Sequence, residues 1–310
     1  MCEAHDRVIC RSKTIELDPG DYPGGIAVWG AVEPIFDTTS SLEPTGVHLH
    51  ARRGKNDPKF IDDTFDAVTL RYKRDLLDDG AALIDSAAAQ AFYLSVFVGN
   101  EVECLFCTYC GNPHTDTDAF AINPHRRHLC LSCGRYFQAD HRGVSNPLAL
   151  LRGHGGEWDR GVNPLPSQLE IDLSQADYPG GIQIWASNPA LLWLNDRPEE
   201  SGLHVHAFNG AGERVVDDTY GVVSVDGVSI SVEQAAQLMA QKATESLAGK
   251  VTSLTCEICS TPAFDTGGHA FEPRLARPCQ TCDRPVTAPG KRLVVSNPLV
   301  GILQSLKSSG

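Results

Sequence analysis

The cysteines of this chain are its clearest candidates for chemistry, because most of them occur in closely spaced pairs. Eight of the eleven follow the pattern C-x2-C, nineteen residues, C-x2-C, which occurs twice. A two-residue gap lets both thiolates of a pair reach one side of a tetrahedral ion, and a second pair completes a four-sulfur shell. The pattern predicts two zinc sites, whose ligands are Cys107, Cys110, Cys130 and Cys133 in the first half and Cys256, Cys259, Cys279 and Cys282 in the second.

Both zinc sites are predicted to be structural. Four protein ligands leave no open coordination position, and so short a cysteine loop needs its metal in order to fold. The ligand spacing resembles that of zinc ribbons and zinc knuckles. This resemblance covers only the two cysteine-rich segments, and it implies a DNA-binding, RNA-binding, protein-binding or purely structural module. Cys2, Cys10 and Cys104 have no partner in the second half and are interpreted as ordinary thiols.

A cluster of histidines with a carboxylate lies between the cysteine pairs of the first half. Its members, the candidate catalytic residues, are His114, Asp116, His125 and His128. Three imidazoles and a carboxylate can form a metal site with an open position, of the type that activates water. The alternatives are that His114 and His128 form hydrogen bonds within the module while His125 is solvated, or that one histidine replaces a cysteine as a zinc ligand.

The second half differs at this cluster. It keeps the carboxylate as Asp265, but Ala263, Arg274 and Arg277 stand at the histidine positions. An additional metal ion at the cluster is therefore expected in the first half alone.

A second histidine pattern, His-x-His, is present in both halves, as His48 and His50 and as His204 and His206. Residues i and i+2 of a strand project to one face, so each pair can chelate a metal ion. An Asp-Asp-Thr segment follows each pair, and either aspartate can supply a carboxylate: Asp62 or Asp63, and Asp217 or Asp218. Such a set approximates the two-histidine, one-carboxylate site of non-haem iron enzymes. The alternative is that the histidines form hydrogen bonds at a domain interface and the aspartates serve turns and caps.

These motifs belong to a longer internal repeat. Four blocks and the cysteine pairs recur in the same order, with offsets of 149 residues for the cysteines and 151 to 156 for the blocks, which predicts a tandem duplication. The matching segments are 21–26 (DYPGGI) with 177–182, 46–51 (GVHLHA) with 202–207 (GLHVHA), 61–65 (IDDTF) with 216–220 (VDDTY), and 145–148 with 296–299 (both SNPL).

The elements that position these residues are predicted to be strands, a helix and a zinc module in each half, an α+β fold. Alternating apolar residues predict strands over 47–51 and 203–208. Helical spacing predicts helices over 81–98 and, after a capping box at Ser231, up to Leu247. The predicted domains are an α+β domain over 12–100, a zinc module over 101–151, a linker over 152–168, an α+β domain over 169–250 and a zinc module over 251–300.

Composition narrows the functional classes. The chain has 310 residues, 42% hydrophobic and 21% charged, with a net charge of −13. Neither a signal peptide nor a membrane-spanning run is visible, so a cytoplasmic protein without a membrane partner is expected. The acidic charge makes nucleic acid an unfavourable partner, because phosphate contacts need a surplus of lysine and arginine.

Three functions follow from these observations. The first is a zinc-stabilised binding or adaptor protein with a protein partner, since both predicted zinc sites are closed and no complete catalytic motif is visible. The second is a metalloenzyme, a hydrolase or a non-haem-metal enzyme, that uses the histidine cluster or the His-x-His pairs. The third is a nucleic-acid-binding zinc-ribbon protein.

Overall fold

The computed structural model describes residues 13–40, 45–54, 56–73, 79–153, 165–187, 191–194, 200–247 and 249–309. They form strands and short helices, as expected for an α+β protein. Cys2 and Cys10 lie outside the described residues. The chain divides into two compact units. Unit 1 comprises Met1–Glu33, Leu42–Leu165 and Asn188–Glu199, and unit 2 comprises Pro34–Ser41, Pro166–Ser187 and Glu200–Gly310.

The described elements of the first half run in chain order from β1 to α3. They are β1 (Thr14–Leu17), β2 (Gly25–Ala31), β3 (Phe36–Asp37), β4 (Gly46–Arg52), β5 (Ile61–Phe65), β6 (Ala67–Lys73), β7 (Asp79–Asp85), α1 (Ser86–Phe97), β8 (Val102–Glu103), α2 (Ala119–Ile122), β9 (His125–Leu129), β10 (Tyr136–Ser145) and α3 (Leu148–Gly153). A 3-10 turn covers Pro19–Asp21.

The described elements of the second half run from β11 to α5. They are β11 (Leu165–Pro166), β12 (Glu170–Leu173), β13 (Gly181–Ser187), β14 (Leu192–Leu194), β15 (Glu200–Phe208), β16 (Arg214–Tyr220), β17 (Val222–Val225), β18 (Val228–Ile230), α4 (Val232–Lys242), β19 (Val251–Thr252), β20 (Leu254–Thr255), β21 (Pro262–Ala263), β22 (Ala276–Pro278), β23 (Pro285–Thr287), β24 (Val295–Ser296) and α5 (Leu299–Ser309). The 3-10 turns are Glu245–Leu247, Gly267–Phe271 and Pro289–Lys291.

Unit 1 contains a four-stranded sheet with the order β14-β2-β4-β5, and a three-stranded sheet in which β1 runs parallel to β6 and β6 pairs with β7. Along β4, apolar side chains alternate with the histidines, so that Val47, Leu49 and Ala51 enter the core. His48 and His50 therefore lie on the opposite face of the strand. Helix α1 packs on β2 and adds Phe92 to the same core.

Unit 2 repeats this arrangement. Its main sheet has the order β11-β15-β13-β3, with β16 also paired to β15, and its smaller sheet has β12 parallel to β17 and β17 paired with β18. On β15, Leu203, Val205 and Ala207 are buried and alternate with His204 and His206. Helix α4 packs on β13.

Each unit contains one strand from the other half of the sequence, which the predicted domain bounds did not include. In unit 2, β3 pairs with β13 through Phe36 opposite Ile184. In unit 1, β14 pairs with β2 through Leu192 opposite Val28. The exchange is symmetric, because both residues of the second pairing are displaced by 156 positions from those of the first. A segment of two or three residues carries too little pattern for sequence analysis to place it.

The helix predicted over 81–98 is shorter than expected. Residues up to Asp85 belong to β7, where Asp85 accepts a hydrogen bond from the Ala88 N–H at 2.8 Å and caps α1. The alanine-rich sequence favours a helix, but pairing with β6 overrides that local preference. In the second half, Ser231 caps α4 as predicted, but the α-helix ends at Lys242 and a 3-10 turn continues to Leu247.

The predicted linker over 152–168 also differs in part. Its first two residues end α3, and β11 near its other end pairs with β15. Residues 154–164 lie outside the described residues.

The Ser-Asn-Pro-Leu repeat connects each four-cysteine module to the helix of its own unit through hydrogen bonds. The Asn146 side chain donates to the Ala88 carbonyl of α1 at 2.8 Å, and Asn297 donates to the Gln234 carbonyl of α4 at 3.0 Å. The side-chain oxygen of each asparagine accepts from the backbone two residues later, where the next helix begins. Both asparagines are buried, so these bonds satisfy groups that water does not reach.

Candidate metal centres

The structure brings the four predicted cysteines of each half together. In the first module, Sγ of Cys107 lies 3.7 Å from Sγ of Cys133, and Cys110 lies 3.7 Å from Cys130. The matching distances in the second module are 3.6 and 3.5 Å. A tetrahedral ion with bonds of about 2.3 Å sets its sulfur ligands about 3.8 Å apart, whereas a disulfide needs about 2.05 Å. Both groups can therefore hold a zinc-like ion.

The turn after each cysteine pair is a tight knuckle. Backbone N–H groups of Gly111 and Gly134 donate to the carbonyls of Cys107 and Cys130, each at 2.8 Å. The residue that follows the second cysteine has a positive φ in all four knuckles, namely Gly111, Gly134, Ser260 and Asp283.

In these turns, backbone N–H groups also donate hydrogen bonds to cysteine sulfur atoms. Burial tends to raise the pKa of the Cys130 thiol, but hydrogen bonds from the N–H groups of Cys133 and Ser132 and from neighbouring thiols outweigh it and lower the pKa to about 6. A thiolate is the form that binds metal. Without an ion the thiols of one group do not all share this shift, since the Asn112 N–H tends to lower the pKa of Cys110 but desolvation and neighbouring thiols raise it to about 11.

The histidine cluster of the first half surrounds one carboxylate oxygen. Oδ1 of Asp116 lies 2.7 Å from His114 Nε2, 3.2 Å from His128 Nδ1 and 3.3 Å from His125 Nε2. The other oxygen accepts from the Ser145 N–H at 2.8 Å. Burial tends to raise the pKa of Asp116, but the hydrogen bonds from His114, His128 and Ser145 hold it below its usual range.

The equivalent carboxylate in unit 2 binds guanidinium groups instead. Oδ1 of Asp265 accepts from Arg274 at 2.6 Å and from Arg277 at 3.0 Å, and Oδ2 accepts from the Ser296 N–H at 2.7 Å. Because arginine does not ligate metals, what the two clusters share is a buried carboxylate that anchors basic side chains. His114, Asp116 and His128 still place ligand atoms within 4.8 Å of one another, so an ion in unit 1 alone stays a prediction.

Strand register assembles a third kind of group from the His-x-His pairs. In unit 1, His50 lies directly opposite Asp62 across β4 and β5, and His48 lies opposite Thr64. Nε2 of His48 and Nε2 of His50 are 3.0 Å apart, and Oδ1 of Asp62 lies 3.5 and 3.3 Å from them. These separations would fit a metal ion with bonds of about 2.1 Å to each of the three atoms. Such an ion would lie about 1 Å from the plane of the three atoms.

Unit 2 has the same geometry. His206 lies opposite Asp217 and His204 opposite Thr219 across β15 and β16. The two Nε2 atoms are 2.9 Å apart, and Oδ1 of Asp217 lies 3.4 and 3.3 Å from them. We refer to His48/His50/Asp62 and His204/His206/Asp217 as the two triads.

The register also shows on which strand face each residue of the Asp-Asp-Thr segment lies. Its first aspartate joins the triad, whereas the second, Asp63 or Asp218, lies on the other strand face. The threonine hydroxyl lies 3.1 Å from Nδ1 of His48 in unit 1, and 3.2 Å from Nδ1 of His204 in unit 2. When Nδ1–H donates to this hydroxyl, the bond orients the ring and the Nε2 lone pair is left for a metal ion.

A basic residue beside each triad was missed by sequence analysis. Lys59 Nζ lies 3.2 Å from His50 Nε2 and 3.1 Å from Asp62 Oδ2. Arg214 Nη1 lies 3.1 Å from His206 Nε2 and 3.2 Å from Asp217 Oδ2. Both stand three positions before the triad aspartate, and this shared spacing was the available signal.

The surroundings keep both triad carboxylates ionised. Burial tends to raise the pKa of Asp62, but the hydrogen bond and charge of His50, with Lys59, hold it well below its usual range. Hydrogen bonds from His204 and His206 do the same to the pKa of Asp217. Both carboxylates are therefore in the metal-binding form at neutral pH.

Comparison of the chain with protein-family models, with curated proteins and with solved structures found no match. Among the described residues, no helix combines the length and the apolar character needed to cross a bilayer.

Proposed function

We propose that this chain is a metal-dependent enzyme, of hydrolase or non-haem-metal type, whose functional centres are the two triads. One observation carries the proposal. In each unit, two Nε2 atoms and one carboxylate oxygen lie within 3.5 Å of one another. Two histidines and a carboxylate on one side of a metal ion leave its other positions for water and substrate.

Access supports a functional role for the triads over the histidine cluster. The His48 and Asp62 side chains are 33% and 41% exposed, and His204 and Asp217 are 32% and 38% exposed. In the cluster, His128 and Asp116 are 0% and 3% exposed. A substrate can reach an ion in the triads, whereas one at Asp116 is enclosed by protein.

The four-cysteine groups are proposed to hold zinc and to act as scaffold. Each packs its sulfur atoms into a small local core, with Phe137 in unit 1 and Val286 in unit 2. Matching strand pairings, triads and asparagine anchors in the two units support the proposal that the chain is a tandem duplication with two copies of one site.

Metal titration tests this function. With zinc in the four-cysteine groups, the full chain should bind one further Co²⁺ per triad, with the weak visible bands of nitrogen and oxygen ligands and without sulfur charge-transfer bands. Replacing His50→Ala and His206→Ala should weaken this binding by about 100-fold or more, because a ligand is lost from each set.

The matched control is Asp63→Asn with Asp218→Asn, which changes the neighbouring carboxylates on the other strand face. This variant should bind Co²⁺ as the unchanged chain does. If the histidine variants retain the additional Co²⁺, or the control loses it, the triads are not the metal sites.

A second candidate function, protein binding by the first zinc module, is favoured by one asymmetry. Phe106 and Leu131, which flank the first module's cysteines, are 42% and 68% exposed, whereas the second module has the polar Thr255 and Gln280 there. They line a concave surface with Leu83, Pro113 and Pro147. Phe106→Thr with Leu131→Gln should abolish partner crosslinking in cells if this function is correct, whereas His50→Ala with His206→Ala should not.

A further inference from the structure

Each triad has a cation at its open side. Lys59 and Arg214 belong to different residue types, yet each contacts the Nε2 atom of the second histidine and the outer carboxylate oxygen of its own triad. Their side chains are 31% and 47% exposed, so they border solvent. This cation is the part of the site that the metal-binding proposal leaves without a role.

A bound metal ion would change the bonds of this cation. It would take the Nε2 lone pair of His50 and the Oδ1 atom of Asp62, which leaves the lysine its bond to Oδ2 and frees the donor now directed at His50. The same holds for Arg214, whose donors point at His206 and at Oδ2 of Asp217. That donor is then available to water or to a ligand of the metal ion.

Charge defines the acceptor. A divalent ion and an ammonium or guanidinium group would together face only the one carboxylate of the triad, and an anionic ligand would compensate the remaining positive charge. Lysine and arginine are the side chains that most often bind carboxylate and phosphate oxygens, and arginine does so with two parallel bonds.

We propose that each triad binds an oxyanionic substrate, a carboxylate or a phosphate ester, with one oxygen on the metal ion and another accepting a hydrogen bond from Lys59 or Arg214. The proposal rests on the proposed metal sites and names the substrate class for them. The cation then serves specificity, since a neutral ligand would leave the excess positive charge of the site uncompensated.

Linked binding tests the proposal on the full, zinc-loaded chain. The dissociation constant of Mn²⁺ is measured by electron paramagnetic resonance, alone and with methyl phosphate, acetate or glycerol, and triad sites are assigned by their loss with His50→Ala and His206→Ala. An oxyanion should tighten Mn²⁺ binding by about tenfold, because coupling between two ligands is reciprocal, and glycerol should have no effect. Enhancement by methyl phosphate alone identifies a phosphate ester, and enhancement by acetate alone identifies a carboxylate.

Charge variants separate this role from a structural one. Lys59→Met with Arg214→Met keeps the aliphatic stems; it should bind Mn²⁺ alone at least as tightly as the unchanged chain and lose the enhancement. The exchange Lys59→Arg with Arg214→Lys should retain the enhancement. Mn²⁺ binding that neither oxyanion tightens, or enhancement that persists in the methionine variant, overturns the substrate assignment while leaving the metal site intact. Absence of Mn²⁺ from the triads under all conditions overturns the metal site and the substrate assignment together.

Discussion

A buried carboxylate in each four-cysteine module shows how one position accommodates different basic partners. Asp116 receives imidazole groups and Asp265 receives guanidinium groups, while a serine N–H binds the second oxygen in both. Imidazole can give up its proton and stay neutral, but a guanidinium keeps its charge. The two clusters therefore respond differently when the carboxylate is removed.

Replacing Asp265→Asn should destabilise the protein more than replacing Asp116→Asn. The first change leaves Arg277, which is almost fully buried, without its counter-charge, at a cost of about 3–5 kcal/mol. The second leaves imidazole groups, a side chain that has a neutral form, and costs about 1–2 kcal/mol of hydrogen bonding. Chemical denaturation of the two zinc-loaded variants measures the difference in free energy of unfolding. Equal losses would contradict the view that the buried arginine makes the second module depend more strongly on its carboxylate.

Strand periodicity predicted much of the candidate site. It placed His48 and His50 on one strand face without any knowledge of the fold. It could not choose between Asp62 and Asp63, because that choice depends on which residue of β5 stands opposite His50. Pairing between strands is set by the whole sheet and its turns, so a local pattern does not contain it.

At the level of elements, the four knuckle turns use different residues for the same backbone conformation. The first module has Gly111 and Gly134 at φ of 72° and 69°, whereas the second has Ser260 and Asp283 at 58°. Side chains other than glycine are strained in this region, aspartate less than serine. The knuckle turns of the second module therefore carry backbone strain that the knuckle turns of the first do not.

Ser260→Gly should stabilise the second module by about 0.5–1 kcal/mol, and Asp283→Gly by somewhat less. The reverse change, Gly134→Ala, should destabilise the first module by about 1 kcal/mol. A Cβ at residue 134 meets no atom within 4 Å, so the effect comes from the backbone alone. The rate of zinc release to a competing chelator, measured for each variant, shows whether the change stabilises or destabilises its module. Unchanged release from Ser260→Gly would contradict this explanation.

Element prediction succeeded where local signals and tertiary packing agree. The Ser231 cap and the apolar alternation on β4 and β15 are present as predicted. It failed over residues 81–85, where an alanine-rich segment pairs with β6 as a strand. The pairing partners lie outside this segment, about ten to eighteen residues earlier in β6, and pairing with that neighbouring strand overrode the local helical propensity.

At the scale of the whole molecule, the compact units do not coincide with the two halves of the sequence. Residues 34–41 belong to unit 2, and 188–199 belong to unit 1. Phe36, from the first half of the chain, is fully buried in unit 2. The core of unit 2 therefore includes a residue that precedes the rest of that unit by more than a hundred positions in the sequence.

Phe36→Ala should cost about 3–5 kcal/mol, as expected for a large aromatic side chain lost from a core. The matched control is Phe60→Ala, since Phe60 is 52% exposed and its removal should cost less than about 1 kcal/mol. Hydrogen exchange locates the effect: amides of β13, the partner of β3, should lose protection in the first variant only. If β13 keeps its protection, the pairing with β3 does not support unit 2.

The reciprocal strand exchange has a consequence for the ancestry of the proposed duplication. A single ancestral copy would have had one sheet lacking the neighbour that β3 or β14 now supplies. Two such copies could exchange this strand, so that each sheet gains its missing neighbour from the other copy. Such an assembly is a domain-swapped dimer. Joining the two genes would then have fixed the swap within one chain. Consequently, a chain cut back to one repeat is expected to regain the missing strand by dimerising.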